Sequence, residues 1–458
     1  MTRSVAVIGG GITGLAASRH LAYLSSDHDL SITVFEGEER LGGKISTSPF
    51  AGRAAVDEGP DAFLVRMPAA IDLTRSLGLG DQITAPTDAR AAIWYDGLRS
   101  IPDGVLLGVP TSLLAIARSG LLSPVGLARA GLDLVLPRTP TAHDSIGHWV
   151  RTRFGDEVHD RLVDALVGSI YGADTDRFSL AAVPQIAALA GRGRSALLSG
   201  RSAMRTTPKS DGPIFAAPIG GLADLINALE RDLAKHHGDR VRIITSSPVA
   251  EITADNGRWR VDGQAFDAVI NAAPAAAAAE MMSGDIAETL RTLETCGVAM
   301  VTLAVPIADW PEHALGRSGY LVPKSVQRTV TAVSFASQKW AHLGGHDSVV
   351  LRVSLGRDGL DVLHLDDSAL VDAAVAEVSM HLGTDLAPVE SRVTRWPGAF
   401  TQYRPHHHTT ISHIERGTGA GLVLAGSSYR GIGIPACVAD GHRAAERTMS
   451  HLEESVSP

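Results

Sequence analysis

The chain has 458 residues, 45% hydrophobic and 20% charged, with 41 Lys+Arg against 50 Asp+Glu for a formal charge of -9. That length allows roughly two to four domains with sizeable cores, and the acidic balance lacks the broad cationic field that nucleic-acid binding requires. Cys296 and Cys437 are the only cysteines, which excludes a disulfide framework or a Cys-rich metal site and suits a reducing cytoplasm.

Met1-Thr2-Arg3-Ser4 runs into a short apolar segment and then glycines, unlike a leader peptide. No apolar run reaches the ~18–20 residues that span a bilayer. Residues 4–8 read as a buried strand, 13–22 as a helix and 30–35 as a second strand, which together make a βαβ unit. A helix is expected over 68–77. Residues 101–136 are apolar but broken by Pro102, Pro110 and Pro124, and read as short helices with polar edges at Arg118 and Arg129. Residues 144–170 read as an amphipathic helical region. Residues 191–212, with Arg192, Arg194, Arg201 and Arg205, read as a surface loop. A helix follows to about 236, then strands over 241–244, 249–252, 259–261 and 268–271. A helix is expected after Pro274, further strands over 299–305, 319–322, 329–334 and 348–354, and a helix over 367–381. The chain ends in a strand over 421–425, a glycine loop, and a helix over 434–452.

The first turn carries the chemistry. Val5-Ala6-Val7-Ile8-Gly9-Gly10-Gly11-Ile12-Thr13-Gly14 is a strand leading into G-x-G-x-x-G. Gly9 permits the tight turn, Gly11 lets main chain approach a pyrophosphate, and Gly14 lets the helix pack on the strand. The helix N-terminus then offers the phosphates unpaired N–H groups and a positive dipole end. Glu36 ends the second strand at a distance suited to a ribose diol. Beyond it, Glu36-Gly37-Glu38-Glu39-Arg40-Leu41-Gly42-Gly43-Lys44 places an Arg, a Gly pair and a Lys. The fingerprint alone does not separate a nicotinamide from a flavin dinucleotide. With Asp57-Glu58-Gly59-Pro60-Asp61-Ala62-Phe63 the chain resembles the flavin amine oxidase and protoporphyrinogen oxidase superfamily, where such a segment runs beside FAD. The segment Gly426 to Gly431-Ile432-Gly433-Ile434-Pro435 resembles that family's last flavin loop, opening a helix whose dipole favours a reduced, anionic flavin.

Further segments resemble the porphyrinogen oxidase branch. They are Gly168-Ser169-Ile170-Tyr171-Gly172-Ala173-Asp174, Phe178-Ser179-Leu180, Pro184-Gln185, Ser337-Gln338-Lys339-Trp340, Leu351-Arg352, Thr394-Arg395-Trp396, Gln402-Tyr403 with His407, and Gly433-Ile434-Pro435-Ala436-Cys437. The likeness spans almost the whole chain and is strongest to the Gram-positive, soluble coproporphyrinogen III oxidase type. Departures are Ala436 for the family's Asp, His406 for a Gly, and an exchanged Gly172-Ala173.

The resemblance implies an α/β fold with a discontinuous Rossmann-like FAD-binding domain (1–85, 212–275 and 415–458), a helical substrate-channel subdomain (86–211) and a mixed-sheet substrate domain (276–414). It implies non-covalent FAD held by Gly9, Gly10, Gly11, Ile12, Thr13, Gly14, Glu36, Gly37, Arg40, Gly43, Lys44, Gly59, Pro60, Asp61, Ala62, Val249, Trp396, Gly426, Ile432, Gly433 and Ile434. Cys437 is expected as a buried thiol, not a flavin link. The implied reaction takes six electrons from coproporphyrinogen III, with dioxygen as final acceptor and hydrogen peroxide as product. No side chain is assigned as catalyst, because the flavin carries the hard step.

An apolar ring bearing propionates asks for apolar walls and a few cations. Arg66, Ile170 and Tyr171 are the substrate candidates, with Lys339 and Arg352 as weaker ones or as plain salt-bridge partners. His406-His407-His408 and His413 read as a strand end with no carboxylate nearby, and no metal is expected. Protoporphyrinogen IX oxidation is the alternative activity. An amine oxidase or carotenoid desaturase is less favoured, since 6 Tyr, 6 Trp and 9 Phe are few for an aromatic amine cage. Residues 104–136 read as a lid over an apolar channel, with weak membrane contact as the other reading. Contact with the next haem-pathway enzyme is a further implied partnership.

Overall fold

The computed structural model of the chain describes residues 2–26, 29–140, 145–206 and 212–455. The expected helix start at 144 and the 207–211 part of the expected loop lie outside them. Val5, Ala6 and Val7 are fully buried, as in a parallel strand covered on both faces. They lie in the Arg3–Ile8 strand, the centre of a five-stranded sheet ordered Val241–Ile244, Leu30–Phe35, Arg3–Ile8, Ala268–Asn271, Leu422–Leu424. Every pairing is parallel, with Val5 between Ile32 and Ala268. Strands from the start, middle and end of the chain therefore build one sheet. The Ile434–Glu454 helix packs on the Ile12–Leu24 helix, so closely that a Cβ at Gly441 would stand 2.5 Å from the Thr13 carbonyl.

A second sheet has seven strands, in the order Glu390–Thr401, Thr295–Pro306, Ser348–Leu355, Val330–Phe335, Arg317–Leu321, Arg90–Trp94, Leu98–Ser100. It is antiparallel except where Arg317–Leu321 meets Arg90–Trp94, so it is mixed as expected. The last two strands correct the sequence reading. Residues 90–100 were placed with the helical segment, but Ala92 and Ile93, both fully buried, pair into this sheet. The Asp367–Leu382 helix covers it, capped at its start by Asp366, whose carboxylate accepts from the Ala369 N–H at 2.8 Å.

The helical layer has its own core of Trp149, Phe154, Leu162, Phe178 and Ile186, among others. Short helices Leu113–Ser119, Pro124–Gly131 and Ile146–Phe154 start at Ser112, Ser123 and Ser145, each hydroxyl accepting a helix N–H. The expected long α-helix is divided at Gly155 and winds as a π-helix over His159–Gly168. Its i→i+5 winding puts His159 and Asp164 on one side, where both meet the Thr175 hydroxyl, at 2.9 and 2.8 Å.

Three further expectations are corrected. The Arg-rich stretch is not a loop: Ala196–Thr206 is a helix. Its start is held by the buried Asp133 carboxylate, which accepts from Ser195 Oγ at 2.6 Å and the Leu197 N–H at 2.9 Å. The strand expected over 249–252 is Ile252–Asp255, leaving Val249 in the preceding extended segment. The histidine run is not a strand end either: His406 is left-handed at φ 72 and His407–Gly417 is a helix.

Candidate active site

The site forms where the five-stranded sheet ends. After Ile8 the chain turns at Gly9 (φ 99), and the Gly9 N–H donates to Phe35 O at 2.8 Å. A Cβ at Gly14 would stand 1.9 Å from the Gly9 carbonyl, whereas one at Gly11 would meet nothing within 4 Å. The two glycines therefore do different work. Gly14 is needed by the fold, while Gly11 borders open space in front of a helix start with no side-chain cap.

Glu36 is buried and accepts from the Gly10 N–H at 2.6 Å and from the Glu38 N–H at 2.8 Å. Each carboxylate oxygen keeps a second lone pair for a ribose hydroxyl. The Ser247 N–H donates to Glu36 O at 2.8 Å, and a Cβ at Gly37 would stand 3.6 Å from Pro248. That brings Val249, packed with Ala6, Ile8 and Ile252, to the same end of the sheet.

The Gly42-Gly43-Lys44 stretch folds back onto the first turn. The Gly42 N–H donates to Gly10 O at 2.9 Å, and a Cβ at Gly43 would be 3.7 Å from Gly11 Cα. Arg40 does not reach across as a free cation. It donates to the carbonyls of Leu41, Gly43 and Ile45, bracing this glycine loop. Lys44 is half-buried, desolvation lowers its pKa, and its amine donates to Gly398 O at 2.7 Å and Ala399 O at 2.9 Å.

Asp61 spends its carboxylate within the protein. Its carboxylate takes Lys339 Nζ at 2.8 and 2.9 Å, Trp340 Nε1 at 3.2 Å and Arg352 Nη1 at 3.0 Å. Burial would raise its pKa, but the two cations outweigh burial and hold it well below the usual carboxylate range. Lys339 and Arg352 are thus ion-pair partners that tie Asp61 to the seven-stranded sheet. Beside them, Arg352 donates to Gly59 O, Trp396 Nε1 donates to Glu58 O at 3.0 Å, and a Cβ at Gly59 would stand 3.4 Å from the Trp396 ring. Pro60 and Ala62 are half-buried in this segment.

The terminal glycine loop meets the same place. Gly426 (φ 119) lies where a Cβ would be 3.5 Å from Thr13 Oγ1, and its N–H donates to the buried Asp440 carboxylate at 2.7 Å. Gly433 opens the last helix without a side-chain cap, and Ile434 is buried just inside it. Ile432 packs on the helical layer's core, as does Tyr171. Glycines from three distant stretches therefore meet at the first turn, Gly42 and Gly43 against Gly10 and Gly11, and Gly426 against Thr13. Cys437 is buried, and burial pushes its thiol up to about 11.

Of the substrate candidates, Ile170 is 48% exposed on the turn after the π-helix, and Tyr171 packs on Phe178 with ring centroids 5.1 Å apart. Arg66 is exposed and unpaired among the described residues, beside exposed Met67; the adjacent Val65 N–H donates to the carbonyl of exposed Ile214 at 3.0 Å. The expectation of no carboxylate near the histidines is corrected: His413 Nε2 lies 2.8 Å from Asp285, which is 128 residues away in sequence. Sequence reasoning missed Asp440, whose only signal is an acidic residue on the buried face of the last helix.

A parallel sheet with a glycine turn, an acid at the next strand end and open space at the turn defines a dinucleotide-binding fold. The chain belongs to the flavin containing amine oxidoreductase family, whose model matches residues 12–449. It is 33% identical to a coproporphyrinogen III oxidase of Mycobacterium bovis, with 99% of each chain covered. It is 30% identical to a coproporphyrinogen III oxidase of Bacillus subtilis, with 98% of each covered. A solved structure from Exiguobacterium sp. 255-15 matches with a TM-score of 0.86 at 29% identity, covering 99% of both chains. No helix among the described residues is long and apolar enough to cross a membrane.

Proposed function

We propose that the chain oxidises coproporphyrinogen III to coproporphyrin III in haem biosynthesis. Six electrons and six protons leave the macrocycle, and three dioxygen molecules become three hydrogen peroxides. FAD, when bound, supplies hydride acceptance and delivery of electrons to dioxygen. The observation that carries the reading is the contrast between Gly14, whose Cβ space is filled, and Gly11, whose Cβ space is open among three converging glycine stretches. The main chain there suits the pyrophosphate, and Glu36 suits the ribose. The last helix start at Gly433 suits the flavin ring, and Cys437, buried with its thiol turned to the Gly431 carbonyl, suits binding without a covalent link. Arg66 beside Met67 offers a cation with apolar neighbours, the combination a propionate-bearing ring needs. Pyrrole protons can leave to water, so the chemistry demands no buried base.

The full-length likeness to two proteins named coproporphyrinogen III oxidase supports the substrate. Two buried free cysteines suit a cytoplasmic setting. Exposed Leu114, one helical turn before exposed Arg118, and exposed Val125 and Val135 suit weak contact with a membrane or with the enzyme that takes the product. The deciding experiment supplies purified protein in air with coproporphyrinogen III and, separately, protoporphyrinogen IX. Porphyrin fluorescence is expected to appear faster with the first, with three peroxides per porphyrin. Faster turnover of protoporphyrinogen IX, or no flavin absorbance after FAD is added, would overturn the proposal.

A further inference from the structure

Gln402 and Tyr403 sit between the two halves of the site, and the reading above gives them no task. Both are buried, at 2% and 4% exposure. Their side chains serve different partners. The Gln402 amide donates to Cys296 Sγ at 3.2 Å and points at the Tyr171 and Gly172 carbonyls, each 3.4 Å away. The Tyr403 hydroxyl donates to Ser427 O at 2.6 Å and accepts from the Gly431 N–H at 2.8 Å. Gly431 has φ 140, which favours glycine, so this loop takes a shape that a side chain elsewhere must hold. The Tyr403 ring lies between Phe178, at 6.0 Å, and His407, at 4.1 Å and nearly parallel; His407 Nε2 in turn lies 3.1 Å from Tyr429 O. The Tyr403 carbonyl accepts from the Ser179 N–H at 2.7 Å.

We propose that Gln402 and Tyr403 are positioning residues that set the gap in which the porphyrinogen ring meets the flavin: Gln402 holds the turn bearing Ile170 and Tyr171, and Tyr403 holds the 427–433 loop. The dipeptide is too short to let one surface move without the other. A further observation favours positioning over plain stability. The Gln402 side-chain carbonyl oxygen is buried with no partner, and an orphaned acceptor is costly, so fold stability alone does not account for an amide here.

This inference rests on the flavin reading of the 427–433 loop, and the experiment separates the two. Apoprotein is titrated with FAD by flavin fluorescence, and the holoprotein's KM and kcat are measured with coproporphyrinogen III. Tyr403→Phe keeps the ring and deletes both hydrogen bonds. It is expected to raise the Kd for FAD at least about five- to tenfold, since two buried hydrogen bonds that hold the loop are lost. Gln402→Met is expected to raise KM by a similar factor while leaving the Kd for FAD unchanged. His407→Gln removes the outer support of the ring and gives a smaller rise in Kd, so the flavin arm survives if Tyr403→Phe folds poorly. A wild-type Kd in both Tyr403→Phe and His407→Gln overturns the role of Tyr403. A wild-type KM in Gln402→Met overturns the role of Gln402. Wild-type protein that takes up no FAD overturns the proposed function itself.

Discussion

Two glycines one helical turn apart make opposite predictions. Gly11→Val adds a side chain where the protein has empty space. Its melting temperature is expected within a few degrees of wild type, while FAD uptake falls at least about tenfold. Full FAD occupancy in that variant would show that the pyrophosphate lies elsewhere. At Gly14 the added Cβ runs into the Gly9 carbonyl, so Gly14→Ala should cost about 1–3 kcal/mol of stability before any ligand is present; urea midpoints measure it. His407 gives a pH signature. Burial lowers its imidazole to about 4, against an ordinary value near 6.5. The folded protein thus resists protonating it, and the neutral ring's contribution is complete above about pH 6.5 and lost as pH falls towards about 4. Melting temperatures across that window should fall more steeply for wild type than for His407→Gln. Equal slopes would show that the ring titrates freely. The glycine turn at Gly9, the strand end at Glu36 and the glycine loop before the last helix were legible as structure because glycine placement and strand ends are local properties. The internal hydrogen bonds of Arg40 and Asp61 were not legible, because a charge in a sequence does not reveal where its hydrogen bonds are spent.

At the scale of elements, the π-helix is anchored by a buried ion pair. Both Asp164 oxygens are taken by Arg357, at 2.7 and 2.9 Å, and Arg357 also donates to the Ala173 carbonyl just after the Ile170-Tyr171 turn. Removing one partner strands the other charge, so Asp164→Ala should lose about 3–5 kcal/mol, seen as a lower denaturation midpoint. A loss under about 1 kcal/mol would mean that water reaches Arg357. Such long-range contacts explain which elements the sequence revealed. The Leu30–Phe35 and Ala268–Asn271 strands are apolar or alternating runs, and were read with their observed bounds. The Ala196–Thr206 helix was missed because its start is capped by Asp133, 62 residues upstream of Ser195. The Arg90–Trp94 strand was missed because it is short and borders the helical segment in sequence, while its partner strand starts at Arg317.

The whole molecule depends on its last segment. The Leu422–Leu424 strand forms the edge of the parallel sheet beside Ala268–Asn271, and the Ile434–Glu454 helix buries Cys437, Val438, Ala444, Ala445 and Leu452. A chain ending at residue 420 should therefore show no cooperative unfolding transition and no FAD uptake. A sharp thermal transition in that truncation would mean that the earlier strands suffice. The fold class was legible as a whole because a βαβ start and a strand–glycine–helix finish both belong to one kind of sheet. The same arrangement constrains biosynthesis. During translation the first glycine turn emerges hundreds of residues before the strand and helix that complete its sheet, so a nascent polypeptide that lacks them carries the Ala268–Asn271 strand as an open sheet edge.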